Sequence, residues 1–361
     1  MITADALERL VAAIFVAEGC SETESGAIAR HLVSSNLAGH DSHGVIRVPR
    51  YVASLREGRV IKGRKLTVVT ENDAMAVVDG GFGFGQSIGE QAVAFGLAKA
   101  RKSGVAIVAL RNSAHIGRIG GWAEIAAEAG FVSIHFVNVA GSVLVAPFGG
   151  VDRRMSTAPF CVGIPVPGEP PIILDFATSL VAEGKVLVAS NGGKALPAGA
   201  LIDPDGNLST DPQTLYGPTS GPGPRNYRLG KGAIRAMGEH KGSGLAFMCE
   251  ILGGALTGGG CAGPGERQAI TNGMLSIYLS PKRFHADDYF AAETRRYVEF
   301  FKSSRPAAPG GEVLTPGEPE RRYREKRLNE GVPLEAETWD ALRLTALAAG
   351  LNEQRIASIV E

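Results

Sequence analysis

Between residues 74 and 138 short β-branched runs alternate with helical stretches rich in small residues, and no other feature constrains the fold as tightly. Ala74–Asp79 reads as a strand, Gln86–Ser103 as a helix with small residues on one face, and Val105–Leu110 as a strand. Gly120–Ala129 reads as a helix and Phe131–Asn138 as a strand. Strands that alternate with helices bury their sheet under them, so the expected class is α/β. Further strands are expected at Phe160–Val166, Ile172–Phe176 and Met274–Leu279, and Lys241–Leu256 reads as a glycine-rich buried helix.

Before this alternation the pattern is helical. Leu7, Leu10, Val11, Ile14 and Phe15 form a stripe at helical spacing that stops at Gly19. Ser21 with Glu24 is a capping-box pattern opening a second helix that ends near Gly39. A third helix covers Val48–Glu57, with Pro49 in its first turn, where backbone donors have no intrahelical partner. Thr210–Gly232, with Pro212, Pro218, Pro222 and Pro224, and Arg305–Pro319 read as surface loops. Charged Glu320–Arg327 and amphipathic Trp339–Ala349 follow as helices. These need an apolar partner, and the N-terminal helices are the candidate. The expected organisation is a helical domain of residues 1–70 with 320–361 and an α/β domain of 71–319. Two domains suit 361 residues at roughly 150 per domain.

Composition excludes several classes. Lys+Arg 37 balances Asp+Glu 37, so no basic surplus points to nucleic acid. Hydrophobic residues at 44% place the chain among packed proteins rather than disordered ones. No apolar run reaches the ~18 residues of a membrane span. Asp5, Glu8 and Arg9 interrupt the N-terminal apolar stretch, so a cytoplasmic protein is expected. Cys20, Cys161, Cys249 and Cys261 make no CxxC pair and are expected to be buried free thiols.

Standard motifs fail on spacing. The literal GxGxxG at Gly258, Gly260 and Gly263 follows a helix and runs into Pro264, whereas a dinucleotide fingerprint follows a strand and opens a helix. Gly80–Gly85 lies between strand and helix, but Ile88 stands where the third glycine belongs. Gly184-Lys185 lacks the rest of a phosphate-binding loop. Ser42 beside His43 invites a serine-hydrolase reading, yet His40 occupies a position where a nucleophile elbow needs glycine. His40 and His43 alone are too few for a metal, and none is expected.

What remains is a set of polar groups in apolar, glycine-rich sequence. His43 can exchange a proton near neutral pH, and Arg47 can grip a carboxylate with two parallel hydrogen bonds. His115 follows the Val105–Leu110 strand, at the strand end where α/β proteins place ligands. Asp175 closes the apolar run Ile172-Ile173-Leu174 and could orient a histidine or cap Thr178-Ser179. His240-Lys241-Gly242-Ser243-Gly244 opens a helix in a way that suits a phosphate.

Eight stretches occur in the order of one family: GHDSHGVIRVPRYV (39–52), RNSAHIGRIGGWAE (111–124), VAPFGG (145–150), LDFATS (174–179), EGK (183–185), PAGALIDPDGNLSTDP (197–212), EHKGSGLA (239–246) and PGEPE (316–320). The chain resembles the type-2 malate/L-lactate dehydrogenases, unrelated to the Rossmann-type enzymes, and within them the hydroxycarboxylate dehydrogenase B branch. The resemblance implies the family's own non-Rossmann α/β fold, a homodimer, and hydride transfer between NAD(P) and the carbon alpha to a carboxylate. The partner would be a small 2-oxo or 2-hydroxy acid. His43 matches the proton donor, Arg47 the carboxylate-holding residue, and His115 a histidine some members use as acid/base. Ser42 and Thr157 fall on the substrate side. Asn138, Val139, Asp175, Phe176, Ala177, His240, Lys241, Gly317 and Glu318 fall on the cofactor side, Asp175 also as a histidine-orienting group. The resemblance leans to NAD and leaves NADP open.

This chain departs from the family in two places. It reads Ser156-Thr157-Ala158-Pro159 where the family usually reads GTNP, and Val139 where relatives often carry Ser or Thr. Reduction of a cyclic or N-alkyl imino acid, a serine hydrolase using Ser42, and a non-catalytic binding protein are the competing readings.

Overall fold

The computed structural model describes residues 1–190, 195–218, 227, 229–263, 270–285 and 287–361. Its strands, in chain order, are β1 Thr67–Glu71, β2 Met75–Asp79, β3 Val105–Ala114, β4 Val132–Ala140, β5 Val145–Ala146, β6 Pro159–Ile164, β7 Ile172–Ala177, β8 Leu201–Ile202, β9 Leu208–Ser209, β10 Ala233–Arg235 and β11 Thr271–Leu279. One seven-stranded sheet has the order β1-β2-β3-β11-β4-β6-β7, and a four-stranded sheet the order β5-β10-β8-β9. The fold is thus mixed α/β. The chain divides into two compact units: Met1–His135 with Cys161–Asp175 and Ser276–Glu361, and Phe136–Phe160 with Phe176–Leu275.

In the first unit the terminal helices share one apolar core. Thr3 caps helix Ala4–Ala17 by accepting from the Ala6 amide at 3.2 Å, and its stripe Leu7, Leu10, Val11, Ile14 and Phe15 is fully buried. Those side chains cluster with Leu342, Ala346, Ile356 and Ile359 of the C-terminal helices, so the expected packing of the two termini is present. A bridge between Ile2 and Val332 ties the ends further. Ser21 caps helix Glu22–Leu37 at Glu24, but the Glu24 carboxylate accepts from the Gly63 amide instead of reaching back, so only half of the capping box forms.

Several boundaries differ from expectation. β3 continues to Ala114 because Arg111 still pairs with Asp79 of the parallel β2, whose carboxylate accepts from Arg111 Nε and Asn112 Nδ2. β1 gives no alternating signal because all five of its residues are exposed on the sheet edge. Helix Glu318–Glu330 begins inside the stretch read as a loop, with Pro319 in its first turn. Helices Glu183–Ser190 and Tyr289–Lys302 were not foreseen.

In the second unit Val145, Leu201, Leu215, Tyr216, Ile234 and Cys249 belong to a separate core. The Thr210–Gly232 stretch is not all surface loop: Gln213–Tyr216 is a short helix whose Leu215 and Tyr216 are buried. Arg153 anchors this segment by donating to the carbonyls of Leu215, Tyr227, Gly230 and Gly232. Pro222 and Pro224 lie outside the described residues. The expected helix Lys241–Leu256 is α over His240–Glu250 and π over Ile251–Ala255. Only one face is buried, since Phe247, Met248 and Leu256 are exposed. Cys20, Cys161 and Cys249 are buried free thiols as expected, whereas Cys261 is only half-buried.

Candidate active site

The candidate centre of the first unit is the segment between helices Glu22–Leu37 and Val48–Arg56. It folds as two 3-10 turns, Asp41–His43 and Val45–Arg47. Buried Asn36 holds them: its Oδ1 accepts from the Val45 amide at 2.9 Å and its Nδ2 donates to Asp41 Oδ1 at 2.6 Å. Arg327, on helix Glu318–Glu330, grips the same Asp41 carboxylate with both terminal nitrogens, at 2.6 and 3.0 Å, and also donates to the Asn36 carbonyl. Such a two-pronged grip fixes orientation as well as position.

Ser42 joins the two groups of interest. Its Oγ lies 3.1 Å from His43 Nδ1, and its carbonyl accepts from Arg47 Nε at 2.6 Å. Adjacent side chains seldom meet, but the tight turn brings these together. His115 follows β3, and its ring stacks on His43 with centroids 5.7 Å apart and planes 19° from parallel. Two segments far apart in sequence therefore place both imidazoles and the Arg47 anchor in one cluster.

His115 is held by groups the sequence did not single out. Tyr51 Oη lies 2.6 Å from His115 Nδ1, and Gln86 Nε2 donates both to Tyr51 Oη at 3.1 Å and to the His115 carbonyl at 3.0 Å. Tyr51 stands one helical turn beyond Arg47, and Gln86 follows the glycine run in the first turn of helix Gly85–Ser103. A polar residue opening a helix whose face is otherwise small was the available signal. The approach depends on Gly85, where a Cβ would stand 2.3 Å from the His115 carbonyl oxygen.

Low-dielectric surroundings, reinforced by the Arg47 guanidinium, push the His43 pKa down to about 3 and move His115 well below the usual imidazole range. Both rings are neutral at pH 7. Burial raises the Tyr51 hydroxyl to about 12, so it keeps its proton.

Among the described residues Asp175 makes no hydrogen bond to a histidine. Its Oδ2 accepts from the Gly120 amide at 2.7 Å, while Ser42 and Tyr51 take the Nδ1 positions of His43 and His115. Desolvation raises the Asp175 pKa, and the nearby Arg118 charge opposes that shift. Asp175, Gly317, His31, Arg118 and Glu320 line a cavity of about 470 Å³. Arg118 donates to Glu124 at 2.7 Å, while its buried Nε and the buried His31 Nε2 have no partner among the described residues. These orphaned polar atoms fit a polar ligand group beside Asp175 and Gly317. Gly317 itself has φ +86, and a Cβ there would stand 3.0 Å from the Ile173 amide nitrogen. Glu318 is not available in the same way: its carboxylate takes Lys302 Nζ, the Thr315 amide and hydroxyl, and Arg322.

A family model for malate/L-lactate dehydrogenase matches residues 2–343. The chain belongs to this family. Hydroxycarboxylate dehydrogenase B of Escherichia coli O157:H7 is 41% identical over 362 residues, covering 99% of this chain and 97% of that protein. The solved sulfolactate dehydrogenase of Methanocaldococcus jannaschii superposes with a TM-score of 0.85 at 30% identity, over 100% of this chain and 99% of that one. A Δ1-piperideine-2-carboxylate reductase from Pseudomonas syringae pvar. tomato superposes at 0.82 with 29% identity, over 96% and 99%. Membership in the malate/L-lactate dehydrogenase family makes the protein a dehydrogenase and accounts for the absence of a Rossmann fingerprint. Gly258 and Gly260, at φ +78 and +81, serve turns, and the Gly260 carbonyl accepts from Asn138.

The second unit carries the remaining cofactor-side candidates. Asn138 is structural there: it donates to Gly260, accepts from the Gly273 amide, and its carbonyl accepts from Asn272. Val139 and Ala177 are half-buried, and Phe176 packs on Phe160 at 5.9 Å. The Thr157 carbonyl accepts from the Thr178 amide and hydroxyl, tying the departed STAP segment to the DFATS segment. His240 and Lys241 are exposed in the first turn of helix His240–Glu250, where Phe148 packs edge-on against the His240 ring.

Proposed function

We propose that the protein interconverts a 2-hydroxy acid and its 2-oxo acid, using a nicotinamide dinucleotide, NAD with NADP open. The observation that carries this reading is the Ser42-linked pair of His43 and Arg47, with the His43 ring stacked against His115. A nicotinamide, when bound, would supply or accept the hydride at C2. Asp175 and Gly317, which line the cavity of the first unit, would hold part of the dinucleotide. Arg47 holds the substrate carboxylate and so fixes C2 and its oxygen. In the oxidation direction neutral His43 takes the hydroxyl proton. In the reduction direction it returns one, and a donor aimed at the developing oxyanion lowers the barrier. A substrate carboxylate brought to Arg47 offsets the positive charge that depresses His43, so substrate binding itself favours protonation.

By the resemblance the enzyme is a homodimer, with residues 1–70 and 320–361 carrying the acid/base loop. The test is oxidation of NADH and NADPH, followed at 340 nm, against a panel of 2-oxo acids and cyclic imines. Turnover of an oxo acid supports the reading, and absence of turnover with every oxo acid would sink it. The likeness to a piperideine-2-carboxylate reductase supports the imino acid as second reading, and preferential turnover of the imine would select it.

A further inference from the structure

The choice between His43 and His115 as the proton-transfer group is set by which hydrogen-bond partners can reverse. The Gln86 atom beside the His115 carbonyl must be its amide nitrogen, because a carbonyl only accepts. That same nitrogen donates to Tyr51 Oη. Tyr51 is 7% exposed, and the acceptor placed to take its hydroxyl hydrogen is His115 Nδ1, at 2.6 Å. A neutral His115 that accepts at Nδ1 carries its hydrogen on Nε2. Its tautomer is therefore fixed from behind, through Tyr51, by an amide that cannot turn round. His43 is different. Its Nδ1 partner is the Ser42 hydroxyl, at 3.1 Å, which can donate or accept as it rotates. His43 can gain and lose a proton at Nε2 while keeping that partner.

We infer that Tyr51 and Gln86 are positioning residues that lock His115 as an Nε2–H hydrogen-bond donor to the substrate oxygen, leaving proton transfer to His43. This rests on the function proposed above. In oxidation the substrate O–H bond breaks, its proton passes to His43 Nε2, and its electron pair closes the C2–O double bond as hydride leaves C2 for the nicotinamide. His115 keeps its own proton throughout. Transfer of that proton would leave an imidazolate, or a Tyr51 phenolate if the tyrosine proton followed.

Long-range ¹H–¹⁵N NMR of the full-length enzyme, labelled with ¹⁵N-histidine, reads the His115 tautomer without relying on turnover. The Nε2–H form is expected at neutral pH, and an Nδ1–H form overturns the inference. In Tyr51→Phe the Nδ1–H form of His115 is expected to appear, with kcat lowered about 100-fold and KM for the oxo acid little changed. His115→Gln, which keeps an N–H donor, is expected to retain at least about tenfold more kcat than His115→Ala. Equal loss in the two would return the proton to His115. Should the wild type turn over no substrate in the panel, the functional reading fails, while the NMR result still decides whether the tautomer is locked.

Discussion

Arg47 and His43 carry different kinds of information about the chemistry. In the proposed function Arg47 acts by geometry, since its Nε is anchored on the Ser42 carbonyl and a planar guanidinium suits a carboxylate. Arg47→Lys keeps the charge and loses the fork, so kcat/KM on a 2-oxo acid should fall by about 100-fold, and steady-state kinetics with full retention would remove Arg47 from the substrate site. In the same proposal His43 acts by proton affinity. With its pKa near 3 in the free site, the protonated form needed for reduction is scarce throughout the neutral range. kcat/KM for reduction should therefore fall about tenfold per pH unit across roughly pH 5 to 9. In oxidation, where the neutral form works, no break should occur at the ordinary imidazole value. A reduction profile with a plateau below pH 6.5 would show that His43 keeps an ordinary pKa. His43→Ala should abolish turnover and His115→Ala should damage it less.

At the scale of elements, the site loop is only as well placed as the contacts that pin it. Asp41 is gripped by Arg327, whose helix starts at Glu318. Arg327→Ala should release the 41–47 turns and lower kcat while the far-ultraviolet circular dichroism stays native; unchanged kcat would show that Asn36 alone suffices. The start of that helix depends on Glu318, whose carboxylate the Lys302 ammonium and the Thr315 donors hold down to about 2. A depressed carboxylate contributes stability that is whole above its ordinary 4.5 and disappears as pH falls through about 2. Glu318→Gln should cost about 2 kcal/mol at pH 7, and the gap from wild type in thermal unfolding should close as the pH is lowered. A gap that stayed constant with pH would contradict this.

Over the whole molecule, the shared core of the two chain ends links stability to the site. Ile356 and Ile359 of the last helix are buried in the cluster that holds Leu7 and Phe15, and the same cluster contains Val45, inside the His43–Arg47 loop. Removing residues 353–361 exposes that surface at about 1.5–3 kcal/mol for each buried isoleucine. The truncated protein should unfold at least several degrees lower in calorimetry and lose activity before it loses secondary structure. A truncated protein with the melting temperature of the whole chain would show that the ends are independent.

Much of this was legible in residue order. The periodicities of Ala4–Ala17 and β2 to β4 depend on one buried face, which local sequence displays, and the eight ordered stretches carried the family. Strand β1 and the helix Gln213–Tyr216 were not legible. The first has no buried face, and the second lies in a proline-rich stretch whose burial depends on contacts made by Arg153 from another segment. The same division holds within the site. His43, Arg47 and His115 could be picked out as candidates from residue type and place, because the capacity for acid/base or carboxylate-binding chemistry is a property of the side chain. That Ser42 would bridge its neighbours, that Tyr51 and Gln86 would stand behind His115, and that Asp175 would turn to Gly120 are matters of direction and distance. Hydrogen bonds require both, and only the folded chain supplies them to residues that lie dozens of positions apart.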